Sequence, residues 1–184
     1  DFDRGDIGNF IHYILERLVR DITQSPDDID QLTDKTIRQY IKEVCPQGAE
    51  GSARLSHLFT RLHRVVALIA QDLRGEFSQS EFVPRYYELA IPSDTGEAPP
   101  PLTLELGDKT KVTLKGKVDR IDTYKKDGDV YIRVVDYKTG SHNFSLLDVK
   151  QGLKLQLILY LFTLWKSESE SFSRSLGVEK GGKI

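Results

Sequence analysis

Several residue types are scarce in this sequence, and each shortage excludes a class of protein. The 184 residues include 1 cysteine, which excludes a disulfide framework and any zinc or iron-sulfur site built from cysteines of this chain alone. No apolar run approaches the roughly 18 residues that a membrane-spanning helix needs. With 26 basic and 28 acidic residues, the formal net charge of -2 excludes a globally basic nucleic-acid coat but leaves a local basic face open. We therefore expect a cytoplasmic protein with no membrane partner.

The length is sufficient for one domain of ordinary size with its own core. Within it we expect a helical part over residues 1-75, a core of sheet and helix over residues 76-166, and a tail over residues 167-184. The tail has no hydrophobic period, so it is predicted to fray or to be cut short. Because the sequence starts at Asp1 and has no methionine, we expect a truncated piece of a longer polypeptide.

Helical spacing dominates the first 75 residues. Apolar residues three and four apart from Ile7 to Ile22 predict a first helix, with His12 and Glu16 on the flank of its apolar stripe. Thr33 or Asp34 is predicted to cap a second helix that ends near residue 44.

The third predicted helix covers about residues 52-73 and carries a basic surface. Four basic side chains at helical spacing share one side of it, away from the apolar face: Arg54, His57, Arg61 and Arg64. We call this set the basic stripe. By itself such a stripe is typical of a solvated helix face.

Extended segments follow Gly75. Runs rich in β-branched and aromatic residues predict strands at Phe82–Ile91, Leu102–Leu106, Lys111–Thr123 and Asp129–Thr139. A helical pattern returns from about Asp148 to Trp165. The order of elements along the chain is helices, then a mostly antiparallel sheet, then a helix. This order predicts the α+β class.

A two-residue turn, Asp127-Gly128, separates the last two of these strands and predicts a β-hairpin. Counting outward from the turn, Asp119 faces Asp136, and Lys138 points to the same side two residues further on. The two carboxylates are therefore expected to converge. A register slip of one residue would instead send them to opposite faces of the sheet.

Opposed carboxylates destabilise a hairpin unless something compensates their charge. A hard cation such as Mg²⁺ suits this pair, because Mg²⁺ binds one or two carboxylates together with waters and phosphate oxygens. Lys138 beside it could orient an attacking water and offset charge that grows on a phosphoryl group. The alternative interpretation is a surface ion-pair patch.

Four segments in order resemble the successive motifs of PD-(D/E)xK nucleases of the RecB type. They are Gly8 to Glu16, Gly116 to Asp122, Val134 to Gly140, and Gln156 with Tyr160. The likeness is greatest to nuclease domains of the AddB/RexB type in bacterial helicase-nucleases, and it runs from about residue 5 to residue 161. It implies a restriction-endonuclease-like core, with a central mixed sheet flanked by helices.

The resemblance also implies residue roles. Asp119 and Asp136 would be metal ligands, joined by the backbone carbonyl of Tyr137 and the imidazole of His12. Lys138 would be the catalytic lysine. Without the motif, His12 would be an ordinary histidine on a helix flank.

Five further residues have supporting or alternative roles. Gln156 and Tyr160 would line the site or contact DNA, although they could equally be polar edges of a buried helix. Asp122 is expected to form a cross-strand ion pair with Arg133 rather than to be catalytic. Glu88, near the end of its strand, is a candidate supporting residue.

The activity implied is hydrolysis of DNA phosphodiesters that depends on Mg²⁺ or Mn²⁺. The setting implied is exonucleolytic processing of double-strand breaks for recombination, on a single strand of linear DNA delivered by a helicase-nuclease partner of the AddA/RexA kind. Beside such a site, Arg54, Arg61 and Arg64 would suit phosphate contacts that are independent of base sequence.

Two alternatives stay open: a stand-alone exonuclease similar to RecB or Cas4 proteins, and a DNA-binding scaffold with an inactive site. The intact set of Asp119, Asp136 and Lys138 argues against the scaffold. AddB-type proteins also carry an iron-sulfur cluster whose cysteines bracket this domain. Cys45 matches none of those positions, so the cluster cysteines are absent from this chain. Either this piece excludes them or this member of the family lacks the cluster.

Overall fold

A computed structural model describes residues 4–24, 28–44, 53–92, 99–101, 103–105, 107–138, 146–151 and 155–184. It divides the chain into two compact units, Asp1–Glu81 and Phe82–Ile184. The division falls close to the predicted end of the helical part at residue 75. Among the described residues, no helix is both long and apolar enough to cross a membrane.

The first unit consists of helices packed through their apolar stripes. They are α1 (Arg4–Gln24), α2 (Ile29–Val44) and α3 (Ala53–Gln79). The ring centroid of Phe10 in α1 lies 4.8 Å from that of Tyr40 in an edge-to-face arrangement, and 6.2 Å from that of Phe59. These three rings join the three helices at one end of a common core.

Two helix boundaries differ from the prediction. The α2 helix begins at Ile29, before the predicted cap, because Ile29 and Leu32 are buried three residues apart and extend the apolar stripe by one turn. Thr33 is therefore buried inside the helix instead of capping it. The α3 helix continues through Gly75 to Gln79, since a single glycine weakens a helix by only about 1 kcal/mol relative to alanine.

The second unit holds the sheet and the remaining helices. Its elements are β1 (Val83–Ile91), β2 (Thr103–Glu105), β3 (Lys111–Thr113), β4 (Gly116–Lys126), β5 (Asp129–Val135), α4 (Leu146–Lys150), α5 (Gln156–Trp165) and α6 (Glu170–Leu176). One sheet has the order β1-β4-β5, and β2 pairs with β3 separately. The α+β class is confirmed. Every strand pair among the described residues is antiparallel, where a mixed sheet was predicted.

The hairpin of β4 and β5 has the predicted register. Lys126 pairs with Asp129, and the ladder continues without a shift to Arg120 and Val135. Asp127 and Gly128 in the turn have φ angles of 53° and 85°, as a type I′ turn requires. The ladder ends at Val135, so Asp136 to Lys138 follow the strand instead of extending it to Thr139 as predicted.

The third partner in this sheet, β1, pairs with β4 across a long connection. Tyr87 pairs with Arg120 and Leu89 with Val118, so Glu88 stands opposite Asp119. The backbone of Glu88 has a φ of 51°, a conformation that costs a residue other than glycine about 1–3 kcal/mol. Strain of this kind persists only where the surrounding structure enforces it, so the packing around Glu88 must hold this backbone conformation.

The C-terminal tail is ordered, so the predicted fraying is wrong. Ser169 caps α6 by accepting a hydrogen bond from the amide of Phe172, and Gly177 ends the helix at a φ of 86°. Phe172 and Leu176 are buried in the core of the second unit. Two apolar residues four apart are too few to stand out as a period, yet they are enough to anchor two turns of helix.

The predicted helix from Asp148 to Trp165 is also corrected. The structure has two helices in this part of the chain, α4 and α5, and residues 152–154 between them lie outside the described residues. The separation places Gln156 in the first turn of α5, where its side chain is exposed.

Candidate active site

Asp119 lies in the middle of β4, the central strand of the three, and only 6% of it is exposed. Its Oδ2 atom accepts a hydrogen bond of 2.6 Å from the backbone amide of Tyr137. The segment that follows β5 is therefore held against β4 by Asp119 itself. This contact positions the two residues that flank Tyr137.

Those two residues form an ion pair. The Nζ atom of Lys138 lies 2.6 Å from Oδ2 of Asp136. The Asp136 side chain is 7% exposed, whereas that of Lys138 is 46% exposed. The predicted placement of both charges on one side is thus confirmed, with the carboxylate inside and the ammonium group open to solvent.

The lysine also meets the first residue of α5. Its Nζ atom donates to Oε1 of Gln156 over 3.3 Å, and Nε2 of Gln156 donates to the hydroxyl of Tyr160 over 3.3 Å. The same hydroxyl accepts a hydrogen bond of 3.2 Å from the backbone amide of Lys117 in β4. A chain of polar contacts therefore runs from Lys138 through the helix and back to the strand that carries Asp119.

Gly116 allows the close approach of Tyr160. A Cβ atom on Gly116 would overlap the hydroxyl and ring of Tyr160. The glycine that opens the predicted Gly116 to Asp122 motif therefore has a packing reason, because any larger residue would displace the tyrosine from β4.

Glu88 is a stronger candidate than the sequence indicated. One of its carboxylate oxygens lies within 4.8 Å of a carboxylate oxygen of Asp119. It also forms an ion pair with Lys117, and 19% of its side chain is exposed. Sequence reasoning underrated Glu88 because the pairing of β1 with β4 spans a long connection that no local signal specifies.

Asp122 belongs to a separate buried network. Its Oδ2 atom lies 2.6 Å from the guanidinium Nη2 of Arg133, and its Oδ1 atom lies 2.8 Å from Nε of Arg120. The predicted cross-strand pair with Arg133 is confirmed. Arg120 was not predicted to join it, although a residue two positions away on the same strand shares its face.

Arg120 links this network to Tyr137, in the segment that follows β5. It donates a hydrogen bond of 2.8 Å to the hydroxyl of Tyr137. Burial raises the pKa of the Tyr137 phenol to about 12, with the nearby charge of Arg120 opposing the shift. The phenol therefore stays protonated near neutral pH and cannot serve as a base there.

The remaining predicted residues lie in the first unit. His12 lies within α1 and is partly buried. In the basic stripe on α3, His57, Arg61 and Arg64 are exposed, and the side chain of Arg54 is outside the described part of the chain. Cys45 is outside it as well.

The donor set suits a hard divalent cation. Asp119 and Glu88 bring two carboxylates close together where at least one is nearly buried, and such a pair is unfavourable without positive charge between or beside it. Lys117 and Lys138 supply part of that charge. Carboxylate oxygens are the ligands that Mg²⁺ and Mn²⁺ prefer, so these residues fit the metal that the motifs imply.

Comparison with known proteins identifies the family. Residues 1–180 match the family model of the PD-(D/E)XK nuclease superfamily. The chain belongs to the PD-(D/E)XK nuclease superfamily. The resemblance drawn from the four motifs is thereby confirmed, and the hairpin geometry described above is the geometry of a nuclease-family domain.

Several bacterial proteins named as subunits of an ATP-dependent helicase/deoxyribonuclease, of the AddB/RexB type, are similar to this PD-(D/E)XK nuclease domain. The protein from Clostridium acetobutylicum is 34% identical over 172 residues, which cover 89% of this chain and 15% of the relative. Those from Acetivibrio thermocellus and Clostridium kluyveri are 35% and 36% identical, over 88% and 85% of this chain. The chain spans about 15% of the length of the curated relatives it matches.

Proposed function

We propose that this PD-(D/E)XK domain is a DNA exonuclease that requires Mg²⁺ or Mn²⁺ and hydrolyses phosphodiester bonds of linear DNA. One observation carries the proposal: Asp136 and Lys138 form an ion pair of 2.6 Å, while the amide of the residue between them binds Asp119. This hydrogen bond joins Asp119 to the segment that carries the Asp136–Lys138 ion pair.

In this proposal Asp119, Asp136 and the backbone carbonyl of Tyr137 hold the cation, and Glu88 offers a further oxygen. A bound divalent cation would polarise a phosphate oxygen and lower the pKa of water next to it. The role of His12 as a nitrogen ligand comes from the motif resemblance and stays a prediction.

The residues of this chain then act on the substrate through Lys138. Its ammonium group orients the attacking water and offsets negative charge that develops on the phosphoryl group. Asp136 and Gln156 hold that ammonium group in place from two sides. Tyr160 in turn holds Gln156 against β4.

The setting we propose is a helicase-nuclease that processes double-strand breaks for recombination. The names of the relatives support it, since they describe a component of an ATP-dependent helicase and deoxyribonuclease. A single strand of linear DNA would reach the site from a helicase-nuclease partner of the AddA/RexA kind. A stand-alone exonuclease similar to RecB or Cas4 proteins is the alternative.

The test mixes the purified chain with two single-stranded substrates, a linear DNA labelled at its end and a circular DNA labelled internally. Each substrate is tested with Mg²⁺ and with a chelator. We expect cleavage of linear DNA only, and only with the metal. Asp119→Asn keeps the acceptor for the Tyr137 amide but weakens the metal site, and it should lower the rate by about 10³-fold, or ~4 kcal/mol. Asp127→Asn in the exposed hairpin turn is the matched control.

Three outcomes would contradict the proposal. No cleavage under any metal condition would favour the inactive scaffold. Cleavage of circular DNA would exclude a purely exonucleolytic enzyme. Near-normal cleavage by Asp119→Asn would remove this carboxylate from the mechanism.

A further inference from the structure

A cavity of about 380 Å³ lies beside the polar chain that supports Lys138. Apolar walls come from Ile91 at the end of β1, Leu114 in the connection before β4, and Leu159 of α5. Gln156, Tyr160 and Thr163 complete the lining on the helix side, and Lys115 and Gly116 line it next to Leu114. The cavity belongs entirely to the second unit.

Two of these lining residues also belong to the candidate active site. Gln156 accepts a hydrogen bond from Lys138, and Tyr160 accepts one from the amide of Lys117, two residues before Asp119. A group that enters the cavity therefore comes next to the residues that hold the lysine. The cavity therefore lies beside the candidate active site, not on a remote surface.

The chemistry of the lining suits a planar ring with polar edges. Aliphatic side chains and the ring of Tyr160 offer surfaces on which a base can pack, and the Gln156 amide offers both a donor and an acceptor. The volume is at the lower end of the range of roughly 300–1,000 Å³ for small-ligand sites. It can hold one nucleotide's base, and it is too small for a stretch of duplex.

We propose that this cavity binds the base of a nucleotide next to the phosphate that is cut. The proposal rests on the proposed nuclease function and adds to it a requirement on the substrate. A base can enter only if it is unpaired and turned out of its stack, as enzymes that bind single bases require. The domain therefore acts on single-stranded DNA, and the bound base sets which phosphate faces Lys138.

The first experiment uses the full wild-type chain and single-stranded oligonucleotides that each lack one base, with the missing base moved stepwise along the strand. At one position, we expect the missing base to lower the affinity for the strand, measured in a chelator. The same missing base should lower cleavage at the neighbouring phosphate, measured with Mg²⁺. A reduction of roughly tenfold is the expected size for the loss of one stacked base. If no position lowers the affinity, the base-binding proposal is wrong.

The second experiment fills the cavity. Leu114→Trp places a large ring in it, whereas Val112→Trp adds the same ring to exposed β3, outside the lining. The first variant should bind the intact and the base-lacking strand equally, and the second should discriminate between them as the wild type does. Wild-type discrimination by Leu114→Trp would overturn the proposal.

The two proposals fail in different ways. If the wild-type chain cuts no DNA, the nuclease proposal is wrong, and the affinities measured in the chelator still decide whether the cavity binds a base. If the chain cuts base-lacking and intact strands equally, the nuclease proposal survives and the base site does not.

Discussion

The helical unit and the sheet unit place their charged side chains differently. In the helical unit, Arg38 and Asp34 form an ion pair of 2.6 Å on the surface of α2, with 78% and 47% of the side chains exposed. In the sheet unit, the side chain of Asp122 is 0% exposed and pairs with Arg120 and Arg133. Water solvates the first pair, whereas the second depends on its partners.

The architecture of each unit explains the difference. A helix on the surface of a bundle keeps one face in water, so its charges stay there. The β4 strand lies between β1 and β5, and all six residues from Val118 to Thr123 are buried, on both faces of the sheet. Charged residues in such a strand are costly unless each is paired, so Asp122 depends on its ion pairs with Arg120 and Arg133.

The strongest test of this contrast is Asp122→Ala. Removing the carboxylate leaves two arginines without their buried partner, and the free energy of unfolding should fall by about 3–5 kcal/mol. Denaturant unfolding followed by the fluorescence of the single tryptophan, Trp165 in the sheet unit, measures this. Glu170→Ala, which breaks an exposed ion pair in the same unit, is the control and should change little. If both variants lost the same free energy of unfolding, burial would not decide how much a broken ion pair costs.

The next largest effect is expected for Lys138→Ala. This lysine is the exposed member of its pair, so its loss should leave the fold intact while lowering cleavage by about 100-fold, or ~3 kcal/mol of transition-state stabilisation. Calorimetric titration with Mn²⁺ should show metal binding preserved. Lys150→Ala in α4 controls for the loss of one exposed charge. Loss of Mn²⁺ binding would mean that Lys138 organises the metal site instead of the reacting water.

The basic stripe gives an intermediate effect in the helical unit. Changing Arg54, Arg61 and Arg64 to glutamine should weaken DNA binding equally for different sequences and reduce the log-log salt slope by roughly one unit per lost phosphate contact. A control changes Arg20 and Arg38, on the other two helices, and the two slope changes are compared per arginine removed. An unchanged slope would return the stripe to a solvated helix face.

The smallest effect is expected for Arg38→Ala. Exposed ion pairs between residues four apart in a helix contribute about 0.3–0.5 kcal/mol. The midpoint of denaturant unfolding, followed by the helical circular dichroism signal, should therefore be nearly the same as in the wild type. Asp122→Ala is its comparison in the sheet unit. A loss of several kcal/mol here would break the contrast between the two units.

The hairpin shows what sequence can predict about this site. The turn at Asp127-Gly128 allows one tight register, so the pairing of β4 with β5 and the position of Asp122 opposite Arg133 followed from counting. The residue at which β5 ends could not be predicted by counting from the turn. The backbone amide of Tyr137 donates to Asp119 instead of continuing the ladder. That bond depends on the buried position of Asp119.

Glu88 shows what sequence reasoning could not reach. Nothing local fixes how β1 pairs with β4, and the register even shifts between Pro84 and Tyr86. The positive φ of Glu88 has no sequence signature either, since glycine is the residue expected in that conformation. The ordered tail was missed for a similar reason, because Phe172 and Leu176 reveal their role only through the core they enter.

The sequence by itself determined the elements whose information is local. Helical spacing and the two-residue turn were readable because each depends on neighbours in the chain. The roles of Asp119, Asp136 and Lys138 came from the motif resemblance and stay predictions. Only the tertiary structure decided that Glu88 faces Asp119, that Gln156 meets Lys138, and that the charges of Asp122 are buried. Those contacts join segments far apart in sequence, and packing of the whole unit, not local preference, selects among the ways they could pair.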